Sequence, residues 1–167
     1  MIPLGCHGVI IVPAQARHVN FLARHMRAID QAECRAMGRA PKAALRHGLI
    51  ASTRCWTALV DGQPHAMFGV AVESALAGRG VPWFLGTDAV WRHGRALLCL
   101  GRAILAEMHD SSAVLANLVS ADNARAIRLL ERWGFAVEHD HVPVGELAFR
   151  RFSRRRPTPA TLQQETP

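Results

Sequence analysis

Three sets of side chains in this 167-residue chain have the chemistry to bind a metal, form a crosslink or hold an anion: four cysteines, nine histidines and a late run of arginines. Cys6, Cys34, Cys55 and Cys99 stand far apart with no CxxC or CxH spacing. That pattern argues against a zinc site and against a disulfide-stapled scaffold, and predicts reduced, mostly buried thiols. The densest histidine group, His139-Asp140-His141, has no third ligand near it in sequence and reads as a solvated turn, so no metal is expected. The formal charge is +7 and Lys42 is the only lysine, so the positive charge is arginine. Arg150, Arg151, Arg154, Arg155 and Arg156 cluster near the end, which suits an anionic partner or DNA as well as a plain solubilising charge run. Phe149 and Phe152 belong to the last strand, so a single-strand stacking platform is not indicated.

These residues need a scaffold, and the length suffices for one domain with a real core. Half the residues are hydrophobic, in short runs that never approach the roughly 20 consecutive apolar residues of a membrane span. Met1-Ile2-Pro3-Leu4-Gly5 lacks the basic and apolar regions of a secretory or transit signal, which leads to an expectation of cytoplasmic synthesis.

The apolar pattern predicts a strand over 8–12, then an amphipathic helix carrying Val19, Leu22, Ala23, Met26 and Ile29, and a second helix over 41–49. Strands over 55–60 and 65–72 flank Asp61-Gly62-Gln63-Pro64, which is hairpin chemistry. Residues 77–82 read as a turn and 83–86 as a buried strand. Leu97, Leu100, Gly101, Ile104, Leu105 and Met108 mark the clearest helix. A strand over 113–119 precedes Asn123, an N-cap for a helix that Gly134 ends. A last hairpin runs from 135–137 to 147–149 around Pro143 and Gly145. Beyond residue 152 there is almost no apolar anchor, so 1–152 is expected as the folded domain and 153–167 as a disordered basic tail.

Two segments of this mixed α/β pattern resemble the GNAT acetyltransferase superfamily. Asn123-Ala124-Arg125-Ala126-Ile127-Arg128-Leu129-Leu130-Glu131-Arg132-Trp133-Gly134-Phe135 is similar to the family's asparagine-capped helix ending in Gly-Phe. Trp91-Arg92-His93-Gly94-Arg95-Ala96 falls where the family has Gln/Arg-x-x-Gly-x-Gly/Ala, with Gly94 and Ala96 matching and Trp91 departing. The resemblance implies an acyl-CoA N-acyltransferase-like fold, a central mostly antiparallel sheet with flanking helices. It also implies an acetyl-CoA or CoA site formed by Leu85, Gly86, Thr87, Arg92, His93, Gly94, Arg95, Ala96 and Asn123. Small residues there let backbone amides at a helix start approach a pyrophosphate, aided by the helix dipole. The other reading of the same residues is an ordinary basic helix start.

Catalysis in this family uses an acid near the leaving sulfur, usually a tyrosine, and the matching position here is Leu130 in a chain with no tyrosine. Glu73 and Asp88 are the candidate bases, though each reads more readily as a solvated strand-end carboxylate. A string from Pro82 to Asp88, with Arg92-His93, Asn117 and Phe149-x-x-Phe152, resembles a phage-encoded branch of the family that includes an internal virion protein of short-tailed phages. That implies a component of virion assembly in the host cytoplasm, with phage structural proteins as partners and weak or no transferase activity. The retained Gly94, Ala96 and Asn123 imply the alternative, an active acetyl-CoA-dependent N-acetyltransferase. Pairing through terminal strands, and hence a homodimer, is implied by the resemblance alone.

Overall fold

The computed structural model describes residues 5–158. In chain order the elements are β1 (Gly5–Cys6), β2 (Val9–Pro13), α1 (Ala16–His25), α2 (Ala28–Ala36), α3 (Pro41–Ala51), β3 (Ser52–Val60), β4 (Gln63–Ser74), β5 (Arg79–Gly86), α4 (Asp88–Arg92), α5 (Gly94–His109), β6 (Val114–Ser120), α6 (Ala124–Arg132), β7 (Ala136–Val144) and β8 (Leu147–Arg155). Among the described residues the strands form one eight-stranded sheet in the order β1-β2-β3-β4-β5-β6-β8-β7, antiparallel except for β5 and β6. This is the mixed α/β architecture expected from the sequence.

The sheet separates two apolar layers. Leu97, Leu100, Ile104 and Leu105 of α5 pack with Phe68, Leu115, Ile127 and Phe152 in one layer, and Val19, Leu22, Cys34, Leu45 and Met67 form the other. Each fully buried aliphatic or aromatic side chain stabilises the fold by about 1.5–3 kcal/mol.

Local chemistry places most element ends where the sequence puts them. Asp61 and Gly62 make a two-residue hairpin turn with φ of 49° and 75°, the left-handed geometry that joins twisted strands tightly. The side chain of Asn123 accepts a hydrogen bond from the Ala126 amide, and Gly134, at φ 79°, turns Phe135 into the core against Phe152.

The structure corrects the sequence reading in several places. The helix expected after Ala14 is two helices, because Met26 and Arg27 are extended: Met26 bridges Thr87, and the Arg27 amide donates to Gly86 O at 3.0 Å. β5 begins at Arg79, so most of the expected 77–82 turn is strand, paired to β4. Pro143 lies within β7 and the turn falls at Gly145, with φ 58°. His139, Asp140 and His141 are exposed residues of β7, at a register shift between Val137 and His141, and not a turn. β8 runs on to Arg155, which pairs with Val114, so residues 153–155 are strand. Residues 159–167 of the expected tail lie outside the described residues. Cys6 and Cys99 are disulfide-bonded, with Cα atoms 6.6 Å apart, which ties β1 to α5, while Cys34 and Cys55 are free. The bonded cysteines stand 93 positions apart, so spacing motifs carry no trace of the pairing.

Two consequences for stability follow. Gly101 of α5 lies under the Trp133 indole, whose Nε1 donates to Leu97 O at 3.2 Å, and a Cβ at this position would collide with the ring. Gly101→Ala is therefore expected to lose stability, since overpacking costs about 1–3 kcal/mol and the helix preference of alanine returns only about 1 kcal/mol. Urea unfolding measures this, and an unchanged midpoint would mean that Trp133 steps aside freely.

The second concerns His109, buried at the end of α5, whose Nδ1 donates to Ser112 O at 2.9 Å. Burial, helped by Arg154 and Arg156, holds its pKa below the ordinary 6.5. As pH falls through the ordinary histidine range the unfolded chain takes up this proton first, so the stability due to His109 is lost towards acid. Asp30 and Glu33, whose pKa values are raised by burial, act in the opposite sense, losing stability as pH rises. A difference measurement separates the two. The fall in urea midpoint from pH 7 to pH 5 is expected to be shallower in His109→Asn, whose amide retains a donor for Ser112 O, than in the parent.

Candidate functional site

β5 and β6 start side by side and then part. Their parallel ladder comprises Arg79 with Val114 and Gly80 with Leu115, after which β5 stays with β4 as far as Gly86 and β6 with β8 as far as Ser120. The sheet therefore opens towards the carboxyl ends of these two strands, the place where open α/β sheets bind ligands. Pro82, which has no N–H for a ladder, sits just where the β6 pairing has stopped, and its carbonyl accepts from Asn117 Nδ2 across the gap at 2.8 Å.

A cavity of about 360 Å³ occupies this opening. Leu105 and Met108 of α5, Leu130 of α6 and its C-cap Trp133 line it on one side of the sheet, and Cys34 of α2, its C-cap Met37, and Ala44 and Gly48 of α3 on the other. The cavity thus runs between the strands from one layer to the other. Burial pushes the Cys34 thiol up to about 12, so it is an inert wall residue at neutral pH.

The parted strand ends are spanned by α2. Asp30 Oδ2 accepts from the Gly86 amide at 2.9 Å, and Glu33 Oε1 accepts from the Ser120 amide at 3.0 Å, so the two carboxylates take up the amides that the split ladder would otherwise orphan. Arg27 clamps Asp30 through Nη2 at 2.5 Å and Nε at 3.3 Å, reaches Asn123 Oδ1 at 3.4 Å, and lies 4.3 Å over the Trp91 ring. Asn123 Nδ2 donates to Glu33 Oε1 at 3.0 Å. Arg27, Asp30 and Asn123 are buried, and Arg27 and Asp30 form a closed pair. Burial raises the pKa of both carboxyls; for Asp30 the Arg27 charge opposes it, and for Glu33 the Asn123 hydrogen bond does.

The helix start after β5 lies beside this opening. α4 closes at His93, whose amide donates to Val90 O at 3.0 Å, and α5 opens at Gly94. A Cβ built on Gly94 meets nothing within 4 Å, so the space over the first turn of α5 is open. Arg92 and Arg95 are exposed on either side of it. The first-turn amides of a 16-residue helix, its dipole and two guanidinium groups make a place suited to a phosphate ester.

The residues singled out from the sequence are sorted by this geometry. Arg92, His93, Gly94 and Arg95 come together at the α5 start, and Asn123 lies in the cavity wall. Thr87 is buried and bound to His65, with Oγ1 and Nδ1 2.7 Å apart. Gly86 spends both its amide and its carbonyl inside the protein, on Asp30 and Arg27. Ala96 is fully buried, its amide bonded to His93 O, so its small side chain serves packing. Leu85 packs with the α1–α3 layer and lines the cavity. Asp88 is exposed at the start of α4, beside a shallower pocket that also takes in Arg125 and Arg128. Glu73 is not brought here: it pairs with Arg79 Nε at 3.2 Å, at the closed end of the β5–β6 ladder.

Arg27, Asp30, Glu33 and Trp91 are not legible as a group in the sequence. The only signal there is the i, i+3 spacing of Arg27, Asp30 and Glu33, and it falls in a stretch where the hydrophobic stripe dominates. Among the described residues no group of three or more histidine, cysteine or acidic side chains is placed to hold a metal. In the arginine cluster, Arg150 donates to Glu138 O at 2.5 Å and Arg156 to His109 O, while Arg151 and Arg155 are exposed.

No family profile matches the sequence, and no curated protein matches it. Solved structures match the fold. AAC(6')-Ib in complex with ribostamycin and coenzyme A superposes with a TM-score of 0.66 at 15% identity, covering 96% of this chain and 98% of that one. YncA, a putative acetyltransferase from Salmonella typhimurium with its cofactor acetyl-CoA, gives 0.59 at 14% identity, covering 89% and 94%. A GNAT-family acetyltransferase from Streptococcus pneumoniae gives 0.58 at 13% identity, covering 88% and 99%. The chain has the fold of the GNAT acetyltransferases.

Proposed function

We propose that this protein is an acyl-coenzyme A-dependent N-acyltransferase. The observation that carries the reading is the cavity through the parted sheet, which connects the α5–α6 layer with the α2–α3 layer. Two substrates arriving from opposite sides would meet there without crossing solvent. The cofactor, when bound, supplies an activated acyl thioester. Arg92, Gly94 and Arg95 would hold its phosphates at the α5 start, and the apolar walls from Leu105, Met108 and Leu130 would keep water from the thioester.

With a leucine at position 130, no hydroxyl protonates the leaving sulfur from this helix. Proximity of two reactants in a dry channel is worth up to about 7–11 kcal/mol of barrier, which leaves room for turnover without that acid. The virion-assembly role and an anionic partner at Arg151 and Arg155 rest on the sequence string and the charge run, and no feature of the cavity speaks for them.

Incubation with acetyl-CoA and a panel of primary amines, followed by thiol release, tests the reading. Saturable release that needs an amine supports it. Release at the same rate with and without every amine would sink it.

A further inference from the structure

Among the described residues the cavity wall holds one carboxylate, Glu33, with no cation in ion-pair contact, although the charges of Asp30 and Arg27 act on it from the pair beside it. Arg27 is committed to Asp30, and Asp30 to the Gly86 amide, so that pair is closed. Glu33 is held by two neutral donors, the Ser120 amide and Asn123 Nδ2, both on Oε1, which leaves Oε2 outside those bonds. The apolar lining on the α2–α3 side of the cavity includes Met37, Ala44, Trp83 and Leu85. The other charged groups in the wall are basic: Arg27 itself and the exposed Arg39, with His47 nearby.

We infer that Glu33 is the group that binds and deprotonates the acceptor, and that the acceptor is a monoamine on an apolar body. The proton-transfer half of this rests on the acyl-transfer reading; the ammonium site does not. A single carboxylate fixed by two hydrogen bonds in an apolar cavity attracts one ammonium group, and its fixed position costs little to keep. A polycation would bring further charges against Arg27 and Arg39 with no carboxylate in the cavity wall to receive them, and like charges so placed repel.

In the step itself, Glu33 accepts one proton from the ammonium group. The freed nitrogen lone pair forms the C–N bond to the thioester carbonyl carbon, the C–S bond breaks, and the sulfur leaves with the electron pair. The second nitrogen proton passes to that sulfur, and Glu33 returns its proton to water. Burial lifts the Glu33 pKa above that of an ordinary glutamate, which brings it nearer the working pH where a base is most effective.

The test uses phenethylamine as the monoamine and spermidine as the polycation, with the whole protein and Glu33→Gln. Ligand-observed NMR titration without cofactor is expected to show phenethylamine binding the parent at least about 10-fold more tightly than spermidine, and the variant losing that binding by a similar factor. With acetyl-CoA, kcat/KM for phenethylamine is expected to fall at least about 100-fold in Glu33→Gln and to lose its acid limb in the pH profile. The variant should melt no lower than the parent, since glutamine keeps an acceptor for Ser120 and removes a charge whose burial costs stability; a Glu33→Asp variant with partial activity guards against misfolding. Equal phenethylamine binding in parent and variant, or tighter spermidine binding, would overturn the inference. If acetyl-CoA fails to bind while phenethylamine still needs Glu33, acyl transfer and the proton step fall and the ammonium site stands.

Discussion

Replacing Gly94 by glutamate is expected to abolish acetyl-CoA binding, by at least about 100-fold, while leaving the fold as stable as before or more so. The two halves come from the same place. Gly94 has no positive φ to defend, and its missing Cβ faces space with nothing within 4 Å. A side chain there therefore strains nothing. It replaces the worst helix former after proline with a better one, worth up to about 1 kcal/mol, and an acidic group in the first turn interacts favourably with the dipole by about 0.3–1 kcal/mol. The same carboxylate occupies the space over the first-turn amides and repels a phosphate. Calorimetric titration and urea unfolding on one preparation read both effects. A variant that binds as the parent does would remove the α5 start from the site, whereas loss of binding together with loss of stability would contradict the open space seen at Gly94.

The second large effect concerns the Cys6–Cys99 bond. It closes a loop of 93 residues between β1 and α5, and in the chain-entropy account a loop of that size stabilises the folded state by up to about 4–5 kcal/mol. Engineered bonds often deliver less, so a loss of about 3 kcal/mol on reduction is expected, or roughly 6–12 °C in Tm for a chain of this length. Thermal melts with and without a reductant should differ by that amount for the parent and coincide for Cys99→Ser, which should melt near the reduced parent. Identical parent melts in both conditions would mean that the two cysteines are not joined in solution.

Those parts of the fold that local signals carry can be read directly from the sequence. The α5 stripe, the Asp61-Gly62 turn and the Asn123 cap with its Gly134 exit each depend on residues adjacent in sequence, and each is found where expected, within a residue or two. The features that differ from expectation depend on partners far away. The break at Met26 and Arg27 exists because β5 is there to bond with them, and a hydrophobic template scores Asp30 as a surface residue although it is buried against the Gly86 amide. The Cys6–Cys99 pairing is of the same kind, as is the strand pairing that draws residues 153–155 into β8.

The candidate site divides along the same line. The α5 start is legible because its requirement is local: a small residue and open amides at the head of a helix. Gly86 and Ala96 fit the same pattern, yet the structure shows them occupied, one by Asp30 and Arg27, the other by the core. Glu33 is marked in the sequence only by its i, i+3 spacing to Asp30 and Arg27, which does not distinguish it from a solvated helix face; the parting of β5 from β6 places it at the cavity. Glu73, which stands at the end of a predicted strand, lies at the end of the sheet where that parting has not begun.

Acyl transfer by this protein requires a coenzyme A thioester to bind at the α5 start and extend into the opening between β5 and β6. Calorimetric titration of the 167-residue protein with acetyl-CoA decides this. Saturable one-to-one binding with a Kd in the micromolar range, about −8 kcal/mol, is the expected result; no heat of binding at millimolar acetyl-CoA would contradict it.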